Sequence, residues 1–313
     1  TTNTISSDTS LTRPSTGIQR KIEPSPRARR NVTQTHQTRP ILVTGATGRL
    51  GRLLRAAWRL ESRCDITPVF TSRGGGADLV LAGDGPLPEL PRAEAVLALW
   101  GETSNDSARL GRNIALAHRS RAVAIACGAR LVLHLSSAAV YGPGAALSEA
   151  TRPAPVTAYG CSKLAMEQLV ATFDTDTARH VCLRLANVVG ADSLAPALAS
   201  ADAPVLLDRF SDGRGPERAY IAPGCLARVI AALVAAPATD LPALLNIAAP
   251  APVAMQDLAR AAQKRVTWRP APDSAVQAVT LDTTRLRHLL PALRLHRSAA
   301  GMIADWQKLR EAQ

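Results

Sequence analysis

The chain has 313 residues, of which 46% are hydrophobic and 20% charged; that allows two domains or one large one at about 150 residues each and excludes a wholly disordered chain. The net charge of +12 invites a polyanion partner, but only Lys21, Lys163, Lys264 and Lys308 are lysines, so an arginine bias in coding comes ahead of a nucleic-acid surface. Twenty glycines are too few for a collagen-like repeat, and no apolar run approaches the roughly 18 residues of a spanning helix, so no membrane partner is expected.

Residues 1–39 are rich in Thr, Ser, Pro and Arg and read as a disordered basic tail. Their composition also suits an organelle transit peptide, with the plain tail preferred. From Pro40 the text changes. A β-branched run at 41–43 predicts a strand, and a glycine-bearing turn at 45–51 follows it. Leu53, Leu54, Ala57 and Trp58 then take helical spacing over 52–59. Strands are predicted at 66–70, 78–81 and 95–99. An Ala-rich helix over 113–127 ends at Gly128, which suits a left-handed terminus. A strand at 130–135, a helix at 157–172 and a strand at 181–185 complete the alternation. Strands alternating with helices predict an α/β fold, a doubly wound parallel sheet of the Rossmann type over 40–187. A helix over 226–235 and a strand at 244–247 return to it within 225–248. Pro196, Pro204, Pro216 and Pro223 break up the remainder. Segments 188–224 and 249–313 are expected to form a small C-terminal substrate-binding cap.

Cys64, Cys127, Cys161, Cys182 and Cys225 are odd in number, widely spaced and without C-x-x-C. That argues against a disulfide framework and against a metal site, and for a reducing, cytoplasmic setting.

In the turn Thr44-Gly45-Ala46-Thr47-Gly48-Arg49-Leu50-Gly51, glycine lets the backbone approach a pyrophosphate, and the helix behind it offers unpaired N–H groups. The spacing is G-x-x-G-x-x-G, not the common G-x-G-x-x-G. At the end of the second strand an acid would bond a ribose 2′-hydroxyl, and an arginine would accept a 2′-phosphate. Here stand Ser72 and Arg73. The cofactor is therefore NAD or NADP, with Arg73 favouring NADP; the same arginine also reads as a solvated surface residue. Asp84, after the third strand, suits the adenine amino group or a turn.

Tyr159 and Lys163 lie four apart on one helix face. An ammonium beside a phenol lowers the phenol's pKa toward working pH, and such a tyrosine exchanges a proton with an alcohol or carbonyl. Ser136 and Ser137 end the fifth strand at the carboxyl edge, where doubly wound sheets bind ligands. Ser137 is placed to polarise a carbonyl, whereas Ser136 suits strand-end capping.

The motifs TGATGRLG (44–51), LSSAAVYG (135–142), PVTAYGCSKLAMEQ (155–168), LRLANVVG (183–190), DGRGPERAYI (212–221) and LLNIA (244–248), with Asn113 before the fourth helix, resemble the extended short-chain dehydrogenases/reductases. The match is to their NAD-dependent epimerase/dehydratase type, typified by UDP-galactose 4-epimerase. The resemblance spans about 40–313. It implies Ser137, Tyr159 and Lys163 as catalytic residues, the last two also touching the cofactor. It implies Gly45, Thr47, Gly48, Arg49 and Leu50 at the pyrophosphate, and Leu99, Trp100 and Asn113 beside the cofactor. It also implies Asn187 and Arg218 near a substrate diphosphate, with Arg269 as a second phosphate contact.

The sequence departs from that family in places. Ala138 and Ala139 follow Ser137, where sugar 4,6-dehydratases look to have an Asp-Glu pair, so dehydration is set aside. Ala222-Pro-Gly-Cys225 lacks the usual histidine and acids. The expected activity is an NAD(P)-dependent oxidoreductase or epimerase, with hydride transfer at a sugar or nucleotide-sugar alcohol or carbonyl and Tyr159 as acid/base. An NADPH-dependent reductase of a non-sugar carbonyl and a non-catalytic dinucleotide-sensing regulator are the alternatives. The partner is a small molecule, and a homodimer is compatible.

Overall fold

The computed structural model describes residues 38–61, 65–103, 106–173 and 177–312. The predicted tail lies almost wholly outside the described residues, as does Cys64. The regular structure starts one residue before the predicted boundary. Arg39 is already in the first strand, and its guanidinium meets the Glu94 carboxylate at 3.0 Å.

Seven strands form one sheet: β1 (Arg39–Thr44), β2 (Ile66–Ser72), β3 (Leu79–Val80), β4 (Ala95–Ala98), β5 (Leu131–Ser137), β6 (Arg179–Leu185) and β7 (Leu244–Ile247). Their order is β3-β2-β1-β4-β5-β6-β7, and every pair is parallel. The main helices are α1 (Arg49–Leu60), α2 (Arg112–Cys127), α3 (Ala158–Val170), α4 (Pro223–Ala235) and α5 (Ala299–Glu311). This is the expected doubly wound arrangement. Its strands read as continuous apolar runs because helices cover both faces: Ile41, Leu42, Val43, Val96, Val132 and Val181 are fully buried. The predicted apolar stripe of α1 is buried, and Trp58 Nε1 donates to the Ala227 carbonyl at 3.2 Å, tying α1 to α4. Gly128 ends α2 at φ 69° as expected.

The cap is assembled from short pieces. Asn187–Val188 pairs with Tyr220–Ile221, and Val205–Arg209 pairs with Val266–Pro270. A four-stranded sheet joins Val253–Ala254, Glu217–Arg218, Ala278–Leu281 and Gly144–Leu147. That last strand, GAAL, carries no β-branched signal, so sequence reading left it within the dinucleotide domain. It pairs because Thr280 Oγ1 accepts the Ala146 N–H at 2.8 Å. No described helix is long and apolar enough to cross a membrane.

Candidate active site

The β1–α1 turn is made of backbone. Gly45 has φ +69°, and a Cβ there would lie 2.8 Å from the Trp100 amide nitrogen. A Cβ on Gly51 would lie 2.5 Å from the Ala46 carbonyl. The turn can therefore pass this close to β4 and to α1 only with glycine at both places. Gly48 precedes α1 in extended conformation and gives it no side-chain cap, which leaves the helix start without a side-chain acceptor for its first N–H groups. Thr47 and Arg49 are exposed, and Arg49 Nη1 donates to the Asp192 carbonyl at 3.3 Å. Leu50 packs its side chain partly on the core. At the β2 end, Thr71 Oγ1 is buried without a partner. Ser72 donates to the Gly75 carbonyl, and Arg73 is exposed. Asp84 is exposed in the loop after β3, where its carbonyl accepts from Arg119.

Two sequence-predicted cofactor neighbours take different roles. Trp100 meets the turn with its backbone, while its indole is aimed at α2 and donates to Ser120 Oγ at 2.8 Å. Leu99 packs partly against the core. Asn113 is buried with both ends of its amide engaged. Oδ1 accepts the Glu102 N–H at 3.0 Å, while Nδ2 donates to the Glu102 carbonyl at 3.2 Å and to Ser162 Oγ at 3.0 Å. It fixes α3 against the loop after β4. Gly101, which sequence reading passed over, leaves the room this needs: a Cβ there would stand 3.1 Å from Lys163 Nζ and 3.2 Å from Asn113 Oδ1.

Ser137 ends β5 in extended conformation, and its Oγ accepts the Ala139 N–H at 3.2 Å. Thr157 caps α3 by accepting the Gly160 N–H at 3.0 Å. Gly160 brings α3 onto the turn after β5, since a Cβ there would come within 2.4 Å of the Ala139 carbonyl. This close contact sets the first turn of α3, where Tyr159 stands, against the turn that begins at Ser137. Lys163, one turn further, is 4% exposed and donates Nζ to the Leu135 carbonyl at 2.8 Å. Burial lowers its pKa to about 8, with the Cys182 and Glu167 charges acting the other way. Burial raises the Tyr159 phenol above its ordinary value, and the Ser137 hydrogen bond offsets part of this. The expected lowering of the phenol by the ammonium is thus not what this structure gives. Desolvation dominates, and the ammonium is committed to a carbonyl of β5.

Beneath the pair lies a polar layer that sequence reading missed. Ser136 donates to Glu167, whose carboxylate is held by Arg184 through Nη2 at 2.7 Å and Nε at 3.1 Å, both residues being buried. Ser136 is therefore bound to a carboxylate, not capping the strand end. The Arg184 guanidinium lies 4.5 Å over the Tyr141 ring. Tyr141 donates to Asn246 Oδ1 at 2.7 Å. The available signal was charge inside an apolar strand, Arg184 amid Val181–Leu185.

The cap candidates are each engaged within the protein. Arg218 donates to the carbonyls of Glu217, Gln277 and Val276 at 2.9, 2.7 and 2.7 Å. Arg269 Nε meets Asp208 Oδ1 at 2.6 Å, and the Asp208 charge reaches Arg218. Asn187 stands opposite Tyr220 in the paired strands, and the Tyr220 hydroxyl donates to Asp192 Oδ2 at 2.7 Å.

Residues 92–224 match the model of the NAD dependent epimerase/dehydratase family. This segment is an NAD-dependent epimerase/dehydratase domain. It contains Ser137, Tyr159, Lys163, Asn187 and Arg218; the glycine turn precedes it and Arg269 follows it. None of the curated proteins matches the chain. Among solved structures, the chain is similar to MoeE5 in complex with UDP-glucose and NAD, with TM-score 0.69 and 22% identity over 87% of this chain and 99% of that one. It is similar to the UDP-N-acetylglucosamine 4-epimerase from Methanobrevibacter ruminantium M1 in complex with UDP-N-acetylmuramic acid, with TM-score 0.69 and 14% identity over 88% of this chain and 100% of that one. TunA, an NAD-dependent NDP-hexosamine 5,6-dehydratase, gives TM-score 0.66 and 17% identity over 88% and 99%. At these identities the likeness establishes the fold. Epimerase/dehydratase neighbours of both reaction types share it, so the fold does not separate epimerisation from dehydration.

Proposed function

We propose that the chain is an NAD(P)-dependent epimerase or oxidoreductase acting at an alcohol or carbonyl of a sugar or nucleotide sugar. One juxtaposition carries this reading: Tyr159 and the buried amine of Lys163, one turn apart on α3, packed against the turn that begins at Ser137 at the carboxyl end of the parallel sheet. The residues present fit a dinucleotide. Gly45 and Gly51 form a cradle that a Cβ would fill, and an uncapped helix start lies behind it. NAD in the MoeE5 structures and nucleotide sugars in several neighbours support this choice of cofactor and substrate. When bound, the cofactor supplies hydride acceptance and donation.

In this reading Ser137 Oγ bonds the reacting oxygen. Tyr159 gives that oxygen a proton or takes one from it, and its raised pKa keeps it protonated as an acid in the free enzyme. Lys163 holds its charge beside the phenol and orients a ribose hydroxyl. Arg218 and Arg269 line the substrate's charged end. The exclusion of 4,6-dehydration belongs to this proposal and rests on Ala138 and Ala139, whose methyl groups supply neither acid nor base.

The NADPH-reductase reading draws on one specific observation: Arg218 already spends its donors on three backbone carbonyls. A substrate without a diphosphate would not need them. In the test, Tyr159→Phe is expected to cut turnover by about 10²–10⁴-fold while dinucleotide binding survives, as measured by steady-state kinetics and fluorescence titration. Unchanged turnover would defeat the mechanism. Tightly retained NAD would mark an epimerase, and exchangeable NADPH a reductase.

A further inference from the structure

Away from the cleft, three metal-ligating groups meet from three separate stretches of chain. Cys225 stands in the first turn of α4, His296 in the loop before α5, and Asp305 within α5. The thiol sulfur, an imidazole nitrogen and a carboxylate oxygen all lie within 4.8 Å of one another. Cys225 is 1% exposed, whereas the side chains of Asp305 and His296 are 10% and 42% exposed. The cluster is therefore closed around sulfur and open toward the imidazole.

Each donor is held from behind. Asp305 Oδ1 accepts the Gly224 N–H at 2.8 Å, which leaves Oδ2 facing His296 Nε2 at 3.5 Å. Gly224 presses on that carboxylate, since a Cβ there would come within 2.6 Å of Oδ2. Cys225 Sγ accepts the His296 backbone N–H at 3.3 Å and Arg228 Nη2 at 3.2 Å. These two N–H donors fix the position of the sulfur, while burial keeps the free group a thiol by pushing its pKa up. Such outer contacts orient ligands at metal centres.

We propose that Cys225, His296 and Asp305 bind one divalent transition-metal ion of borderline softness, with zinc the best match to a sulfur, nitrogen and oxygen donor set. Three protein ligands leave one position for water. Asp305, Gly224 and Arg228 also line a cavity of about 310 Å³ between α1, α4 and α5, which gives water a route in. Binding displaces the thiol proton to solvent and staples the C-terminal helix α5 to α4. Sequence reading expected no metal because it looked for local spacing. Cys225 and His296 are 71 positions apart, so no short motif announces the site.

The test uses the full chain, reduced and made without a histidine tag, titrated with zinc and separately with cobalt(II). One equivalent of zinc is expected to bind and to raise the melting temperature. Cobalt is expected to give a thiolate charge-transfer absorption that Cys225→Ser removes. His296→Gln changes a part-exposed side chain, keeps the fold, and should weaken zinc binding by at least about tenfold. The proposal falls if the wild-type chain takes up no equivalent of zinc. It also falls if the cobalt absorption survives in Cys225→Ser, or if His296→Gln binds as tightly as the parent. Should Cys225→Ser not fold, the wild-type stoichiometry and His296→Gln decide alone.

Discussion

In the proposed site the turn between β1 and α1 offers backbone, whereas Arg218 and Arg269 offer side chains. The turn is held by what glycine lacks, with Gly45 and Gly51 each occupying space where a Cβ would collide with main-chain atoms. The cap is held by what arginine has. Arg218 is pinned to three carbonyls, and Arg269 is 57% exposed while paired with Asp208. A backbone site tolerates little change but reads any dinucleotide phosphate alike. A side-chain site can be rewritten by exchanging one or two residues, so substrate choice is expected to reside in the cap.

The largest effect is expected under neither side but beneath both. Glu167→Ala leaves Arg184 buried and unpaired, which should cost about 3–5 kcal/mol of stability by denaturant unfolding. A loss below about 1 kcal/mol would show that the layer is not closed to water. Next comes Gly45→Ala, which adds a Cβ 2.8 Å from the Trp100 amide at φ +69°. Strain of about 1–2 kcal/mol should appear as a tenfold or greater loss of dinucleotide affinity by calorimetry, with the cap's substrate contacts unchanged. An unaltered affinity would remove the distinction between the two sides.

A pH series sharpens it further. Lys163 has its pKa lowered from 10.5 to about 8, so kcat/KM for carbonyl reduction should fall as pH rises through about 8 and the ammonium is lost. Stability runs the other way. Between about 8 and 10.5 the folded chain binds fewer protons at this site than the unfolded chain, so this group's contribution increases with pH. Lys163→Met should abolish that part of the stability slope. The smallest effect is expected for Arg269→Ala. An exposed ion pair contributes about 1 kcal/mol or less, so the melting temperature should barely move while KM for a charged substrate rises.

The same contrast explains what the sequence made legible. Gly45, Gly48 and Gly51 announce a turn because their reason for being there is local. Tyr159 and Lys163 announce a face because helical spacing is local too. Trp100 and Asn113 carry no local sign of their partners: the Trp100 indole faces Ser120 and the Asn113 amide serves Glu102 and Ser162. Partners that far apart in sequence leave no periodic trace. The strand Gly144–Leu147 escaped notice for a related reason, since its partner is Thr280 and its own residues carry no strand preference. Glu167 and Arg184 lie 17 positions apart, on a helix and a strand, and neither element shows the pairing by itself.

That buried relay, from Ser136 through Glu167, Arg184 and Tyr141 to Asn246, bears on how the chain can diversify. Glu167 compensates both Ser136 and Arg184, so exchanging Glu167 or Arg184 alone orphans a buried charge, whereas Asn246 keeps further bonds to the Leu147 and Asp282 carbonyls. Mutational drift is thereby channelled onto the aliphatic positions around it. In a library selected for folding, changes at Glu167 and Arg184 should appear jointly or not at all, making this pair a ratchet that entrenches the present arrangement.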